Sequence, residues 1–322
     1  MGAISVVINT LNEEKNLPRA LASIKNIADE IVVCDMHSSD KTPEIAKKAG
    51  AKVYQYKRTG YVEPARNYTV SKAKGDWILI LDADEEIPRS LALQLKEIAE
   101  SGGDPSTSSF GKLRTPLRMT SKRKRDVADY YRIPRKNVIF GKWIKHSRWW
   151  PDYNIRFFKK GHVSWSEIIH SVPITTGTGL DLEAKEANAI VHYHYETIEQ
   201  YIQRLNRYTT QHAKLKVKEG YKFVWSDLVK KPIDEFLSRY FQGQGYKDGL
   251  HGLALAGLQA MSEFVMYLKV WQGEKFPEKN IKIDKVVDSM REAESDVHYW
   301  QADSLLKEVG GVKNRLKRKF KI

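Results

Sequence analysis

The sequence predicts an α/β fold: a Rossmann-like, mostly parallel sheet with a helical C-terminal extension. Three observations carry this. From residue 4 to about residue 100, short apolar runs alternate with amphipathic segments, the rhythm of strand–helix–strand units with right-handed crossovers. One run, Trp77-Ile-Leu-Ile-Leu81, is apolar throughout, as a strand covered on both faces must be. From about Glu196 onward the pattern turns helical. The expected division is therefore 1–195 for the α/β domain and 196–322 for a helical, basic region serving membrane-surface association or oligomerisation.

Ile4–Ile8 reads as the first strand, followed by the polar loop Asn9-Thr-Leu-Asn-Glu-Glu14 and a helix with Leu17, Leu21 and Ile24 on one face. Glu30–Cys34 is the second strand and ends in Asp35-Met-His-Ser-Ser-Asp40. Asp40 suits the N-cap of a short helix with Pro43 in its first turn and Gly50 beyond its end. Lys52–Tyr56 is a third strand, and 63–74 a helix closed by Gly75. The strand at 77–81 then runs into Asp82, Asp84, Glu85 and Glu86. In a sheet of this kind the polar clusters at 9–13, 35–40 and 82–85 gather at one edge, beyond the carboxyl ends of the strands, where ligands bind.

After the helix around Leu91, Leu95 and Ile98, Ser101–Ser109 is a loop and Lys122-Arg-Lys-Arg125 a basic run. Residues 130–173 are rich in aromatics, among them Trp143, Trp149, Trp150 and Trp165, and read as short strands and loops. Gly249–Trp271 is the most apolar long stretch, but His251, Gln259, Glu263 and Lys269 argue against a spanning helix. Its three- and four-residue periodicity predicts an amphipathic helix for packing, dimerisation or a membrane surface.

Composition narrows the class. Hydrophobic residues make up 41% and charged residues 29%, a globular balance. The single cysteine, Cys34, excludes an internal disulfide, suits a reducing compartment and reads as a core residue. Met1–Ser5 lacks the basic flank and apolar region of a signal peptide, which with Cys34 predicts a cytoplasmic protein. The net charge of +14 implies an anionic partner. It is clustered, and one cluster lies at the C-terminus, where Lys313, Arg315, Lys317, Arg318, Lys319 and Lys321 interleave with Leu316, Phe320 and Ile322. That mix predicts a peripheral position on an anionic membrane surface.

The four acids after Leu81 either cap the next helix or hold a divalent cation and, through it, a diphosphate. The motifs around them resemble the family 2 glycosyltransferases of GT-A fold: Ile4–Asn12 with Glu13-Glu14, Asp35 with Ser38-Ser-Asp40, Glu63-Pro-Ala-Arg-Asn67, and Gly75–Glu85. Trp149–Phe158, the Trp165 to His170 segment and Gly245-Tyr-Lys-Asp-Gly249 resemble the subgroup that glycosylates lipopolysaccharide core and similar lipid-linked acceptors. Two positions depart from that pattern: Asn9, where proline is common, and Ser171, where a glutamate often follows the histidine.

The resemblance implies an inverting transfer from a nucleotide-sugar, a UDP-sugar for preference, with Mg²⁺ or Mn²⁺ as cofactor. It places Thr10, Asn12 and Glu13 at the nucleoside, Asp35 on the imide N–H of a uracil, and Arg66 on the nucleotide. Asp82 would face ribose or metal, with Ala83 beside it, and Asp84 would bind the metal, with His192 from late in the domain as a further ligand. Glu167 is the first candidate for the base that deprotonates the acceptor hydroxyl, with Asp152 and His170 as competitors. Alternatives are a polyprenyl-phosphate sugar synthase, an inactive nucleotide-sugar-binding regulator and a nucleic-acid-binding protein. Carboxylates lining the strand ends speak against nucleic acid. No zinc-ligand spacing, nucleophile elbow or P-loop is present in the sequence.

Overall fold

A computed structural model describes residues 2–58, 62–102, 128–166 and 172–321. They form two compact units, one of Met1–Asn137 with Pro151–His194, the other of Val138–Trp150 with Tyr195–Ile322. The second unit joins 138–150 to the helices, a grouping that contiguous sequence segments do not reveal.

In the first unit, β1 (Ile4–Thr10), β2 (Glu30–Asp35), β3 (Lys52–Gln55) and β4 (Trp77–Asp82) form the parallel part of the sheet, in the order β3-β2-β1-β4. Every residue of β1 is buried. Alternation along β4 feeds two cores. Leu79 and Leu81 pack with Leu17, Leu21 and Ile24 of α1 (Leu17–Ile24) and with Leu91, Leu95 and Ile98 of α4 (Arg89–Glu100). Ile78 and Ile80 face the other way, onto Val7, Val32, Phe158 and Trp165, with Val70 of α3 (Glu63–Lys72). Each fully buried side chain among them stabilises the fold by about 1.5–3 kcal/mol, while Val70 is only partly buried. Two-sided cover is the reason the run has no polar position. Gly75 admits β4 to the sheet, because a Cβ there would stand 2.6 Å from the Ala3 carbonyl oxygen.

Beyond β4 the sheet becomes largely antiparallel. β8 (Asp152–Lys159) pairs with β4 on one side and with β6 (Tyr130–Ile139) on the other, and β12 (Ile190–Tyr195) and β5 (Glu85–Glu86) complete the order. The region expected as short strands thus contains two long ones. Their inward apolar positions are masked in the sequence by Arg132, Arg135, Lys136 and Arg156, which take ionic partners within the fold. The smaller strands are β7 (Lys142–Trp143), β9 (Val163–Ser164), β10 (Ile174–Thr175) and β11 (Gly179–Asp181).

The second unit contains α5 (Ile198–Lys218), α6 (Asp227–Leu237), α7 (Leu250–Gly273), α8 (Ile283–Glu308) and α9 (Val312–Phe320). Thr197 caps α5 by accepting the Gln200 amide. By length and composition α7 could cross a membrane. Its polar residues instead tie it to α5: the Lys269 ammonium donates to the Asn206 carbonyl, Thr209 and Thr210, and Gln259 donates to Tyr201. Buried Asp248 accepts the backbone amides of Lys145 and His146, stitching 138–150 to the helices. Gly252 one turn later is obligatory, since a Cβ would lie 1.8 Å from the Gly245 carbonyl oxygen.

Candidate active site

The strand register builds the site. Thr10 is opposite Asp35 and Asn9 is opposite Asp82, so three polar strand ends share one edge of the sheet. Asp35 is buried, and its carboxylate accepts the Ser38 amide at 3.1 Å, Gln55 Nε2 at 3.2 Å and the Thr10 hydroxyl at 3.4 Å. Asn12 adopts φ 57° and bridges the same two loops, its amide donating to Ser38 Oγ and its Oδ1 accepting the Ser39 amide. The Glu13 amide donates to Thr42 Oγ1 and its carboxylate accepts Asn16 Nδ2. Asn9 accepts the Thr69 hydroxyl at 2.6 Å, while its buried Nδ2 has no partner among the described residues.

The turn after β4 is held by arginines. Arg66 Nη2 lies 3.1 Å from Asp82 Oδ1, and Arg156 Nη2 lies 2.5 Å from Asp82 Oδ2 and 2.6 Å from Glu85 Oε1. Glu85 is wholly buried, accepts the Asp82 amide and has Arg135 at 3.3 Å. Burial alone would raise the Asp82 carboxyl, but the Arg156 and Arg66 charges outweigh it and hold the group well below the usual carboxylate range. Asp82 is therefore a fixed anion, already neutralised by protein cations.

Asp84 has a different neighbour. β12 pairs antiparallel with β5, His192 against Glu85, which brings His192 Nε2 to 3.6 Å from Asp84 Oδ2. His192 Nδ1 is 2.7 Å from Asn137 Oδ1, which can only accept, so Nδ1 is the donor there and Nε2 is the ring nitrogen turned to Asp84. Asn137 Nδ2 donates in turn to Asp152, which also binds Arg135 at 2.6 Å. His194 stands edge-on to His192, ring centroids 4.4 Å apart. For Asp152, burial raises the pKa, but the Arg135 charge and the Asn137 and Arg135 hydrogen bonds outweigh it and lower it. That makes Asp152 a weak proton acceptor and a strong anchor.

The structure thus gathers Thr10, Asn12, Glu13 and Asp35 at one end of the sheet edge, and Arg66, Asp82, Asp84 and His192 beside it, with Ala83 buried within the turn. Glu167 and His170 lie outside the described residues.

Residues 5–162 match the family model described as Glycosyl transferase family 2. An uncharacterized glycosyltransferase of Rickettsia typhi is 31% identical over 277 residues, 84% of this chain and 87% of that protein. The chain is a family 2 glycosyltransferase. Its α/β unit has the GT-A fold. The glycosyltransferase is also similar to LpsC of Rhizobium meliloti, named a lipopolysaccharide core biosynthesis glycosyltransferase, at 22% identity over 84% of this chain and 92% of that one. Among solved structures, glucosyl-3-phosphoglycerate synthase from Mycobacterium tuberculosis, in complex with Mn²⁺, UDP and glucosyl-3-phosphoglycerate, is 26% identical. It aligns over 31% of this chain and 39% of that one, with a TM-score of 0.26, too short an overlap to transfer a substrate.

Whether the glycosyltransferase fits a divalent cation can be read from its donors. Among the described residues no three of His, Cys, Asp and Glu converge on a point. Asp84 with His192 nevertheless offers one carboxylate and one oriented imidazole lone pair, and a cation shared with substrate phosphates needs only one or two protein ligands. The donor set fits.

Three residues of this network were not singled out from sequence, Arg135, Asn137 and Arg156, while Glu85 was read only as one of four acids and Asn67 only as part of the Glu63–Asn67 motif. Asn67 holds the Trp165 backbone by two hydrogen bonds, 2.6 Å to its carbonyl and 2.9 Å from its amide. For Arg156 a signal exists, a lone cation between Ile155 and Phe157-Phe158, since a charge inside an apolar strand must meet a buried acid.

Proposed function

We propose that this glycosyltransferase moves a sugar with inversion from a UDP-sugar to a lipid-linked saccharide in cell-envelope glycan or lipopolysaccharide synthesis. The observation that carries the reading is the Asp84–His192 pair, set beside an arginine-neutralised Asp82 at the edge where Thr10 and Asp35 also end. Asp35 and Thr10 would receive the base, with Asn12 and Glu13 shaping the loop around it. Arg66 would extend its charge toward the nucleotide. Asp84 and His192 would hold Mg²⁺ or Mn²⁺, which when bound neutralises charge on the leaving diphosphate. Asn137 keeps the His192 lone pair directed into the site, and Asp152 with Arg135 keeps Asn137 in place.

Transfer to a hydroxyl needs a proton acceptor near the attacking oxygen. The ion-paired state of Asp152 leaves Glu167 as the preferred base. The name of the Rhizobium relative supports a lipopolysaccharide-type acceptor. Tryptophan-rich 130–173 supports a saccharide over the bare phosphate of a polyprenyl-phosphate synthase. The test is UDP release from a panel of UDP-sugars with Mn²⁺ and lipid extract, run beside Mn²⁺ binding by electron paramagnetic resonance. Asp84→Asn should abolish turnover and weaken Mn²⁺ binding while the circular dichroism spectrum stays unchanged. Wild-type Mn²⁺ binding in that variant would remove Asp84 from the site. An α-linked product from an α-linked donor would refute inversion.

A further inference from the structure

Helix α9 presents an arrangement unlike that of an ordinary surface helix. At about 100° per residue, Asn314 and Arg318 share one side, with Lys321 just past the helix end, and Val312, Leu316 and Phe320 lie opposite. The polar side faces the protein. Arg318 Nη1 is 2.9 Å from Asp303 Oδ1, and Lys321 Nζ is 3.1 Å from Asp296 Oδ1, both acids on α8. The apolar side is turned outward, with Val312 71%, Leu316 49% and Phe320 59% exposed. Val309, 76% exposed at the end of α8, adjoins the stripe in sequence. Burying apolar area would stabilise the helix, so a helix held by its charges with its apolar side in water is built for another apolar phase.

We infer that the outward side of α9 docks on an anionic lipid bilayer, lying in the headgroup plane. Lys313 and Lys317 flank the stripe on one side, Arg315 and Lys319 on the other, and among the described residues none of them forms an ion pair with an acid. Apolar residues between cations fit the boundary of acyl chains and anionic headgroups. A second copy fits poorly, because an isologous contact through this face would set the same cations against each other. Nucleic acid would satisfy the cations but leave the apolar stripe in water.

The full-length protein should co-sediment with vesicles containing phosphatidylglycerol, not with pure phosphatidylcholine vesicles, and binding should weaken as salt shortens the screening length. Lys313→Gln with Lys317→Gln should lower the partition coefficient roughly 30-fold. Leu316→Ser with Phe320→Ser should lower it more than about tenfold, with the circular dichroism spectrum unchanged because the Arg318 and Lys321 ion pairs to α8 are kept. Equal binding to neutral vesicles, no binding at low salt, or wild-type binding by either variant overturns the inference. So does a dimer in sedimentation velocity that the serine variant dissolves, or RNA binding through these lysines without vesicle binding. Mn²⁺ and UDP-sugar assays do not enter this test, so its outcome is independent of the catalytic reading.

Discussion

Arg156→Met tests how the acidic turn is held. The Arg156 side chain is 2% exposed and makes the shorter contact to each acid: 2.5 Å to Asp82, against 3.1 Å from Arg66, and 2.6 Å to Glu85, against 3.3 Å from Arg135. Removing one partner of a buried ion pair costs about 3–5 kcal/mol, chiefly because the other charge stays buried and unpaired. Here Arg66 and Arg135 remain as partial compensation, which places the expected cost near the lower end, about 3 kcal/mol. The two compact units need not unfold together, so a global denaturation midpoint is a poor readout. Amide hydrogen exchange in β4 and β8 reports opening of the first unit directly. A loss of about 3 kcal/mol corresponds to roughly a 10²-fold fall in protection there. The double variant with Glu85→Gln should recover part of the loss, because it removes the charge left without its nearest partner. A fall in protection below about fivefold, or strict additivity of the two substitutions, would show that the network does not hold the turn as described.

Two further perturbations probe other parts of the same unit. Asn137→Ala removes the acceptor that fixes the His192 tautomer and should weaken Mn²⁺ binding about 10–100-fold, measured by isothermal titration calorimetry; unchanged affinity would exclude His192 from cation binding. Glu30 tests acid stability. Burial pushes its carboxyl up, but hydrogen bonds from Lys52, Ser5 and the Lys74 amide outweigh this and pull it down to about 2 from its ordinary 4.5. A depressed folded-state pKa gives stability that is present above the unfolded value and lost as pH falls through the folded one. Wild type should therefore lose amide-exchange protection in β1 and β2, corrected for the intrinsic rate, between pH 4.5 and 2 more steeply than Glu30→Gln, and parallel curves would refute the assignment.

What the sequence determined by itself is local and periodic. An apolar run with no polar break demands cover on both faces, and β4 receives it from the Leu79/Leu81 and Ile78/Ile80 cores. Alternating strands and helices, with polar residues where strands end, place Thr10, Asp35 and Asp82 on one edge, because parallel strands point the same way. Only the tertiary structure decided which side chains face that edge together. His192 is 108 residues beyond Asp84 in the numbering, and reaches it solely because β12 pairs with the two-residue strand β5. Arg156 and Arg135 read as breaks in strand alternation until Glu85 and Asp152 stand opposite them. The basic periodicity of α9 is legible in the sequence, yet which side turns inward depends on Asp296 and Asp303 of α8. Periodicity says that a helix has two faces; the partner it packs against decides which one meets the solvent.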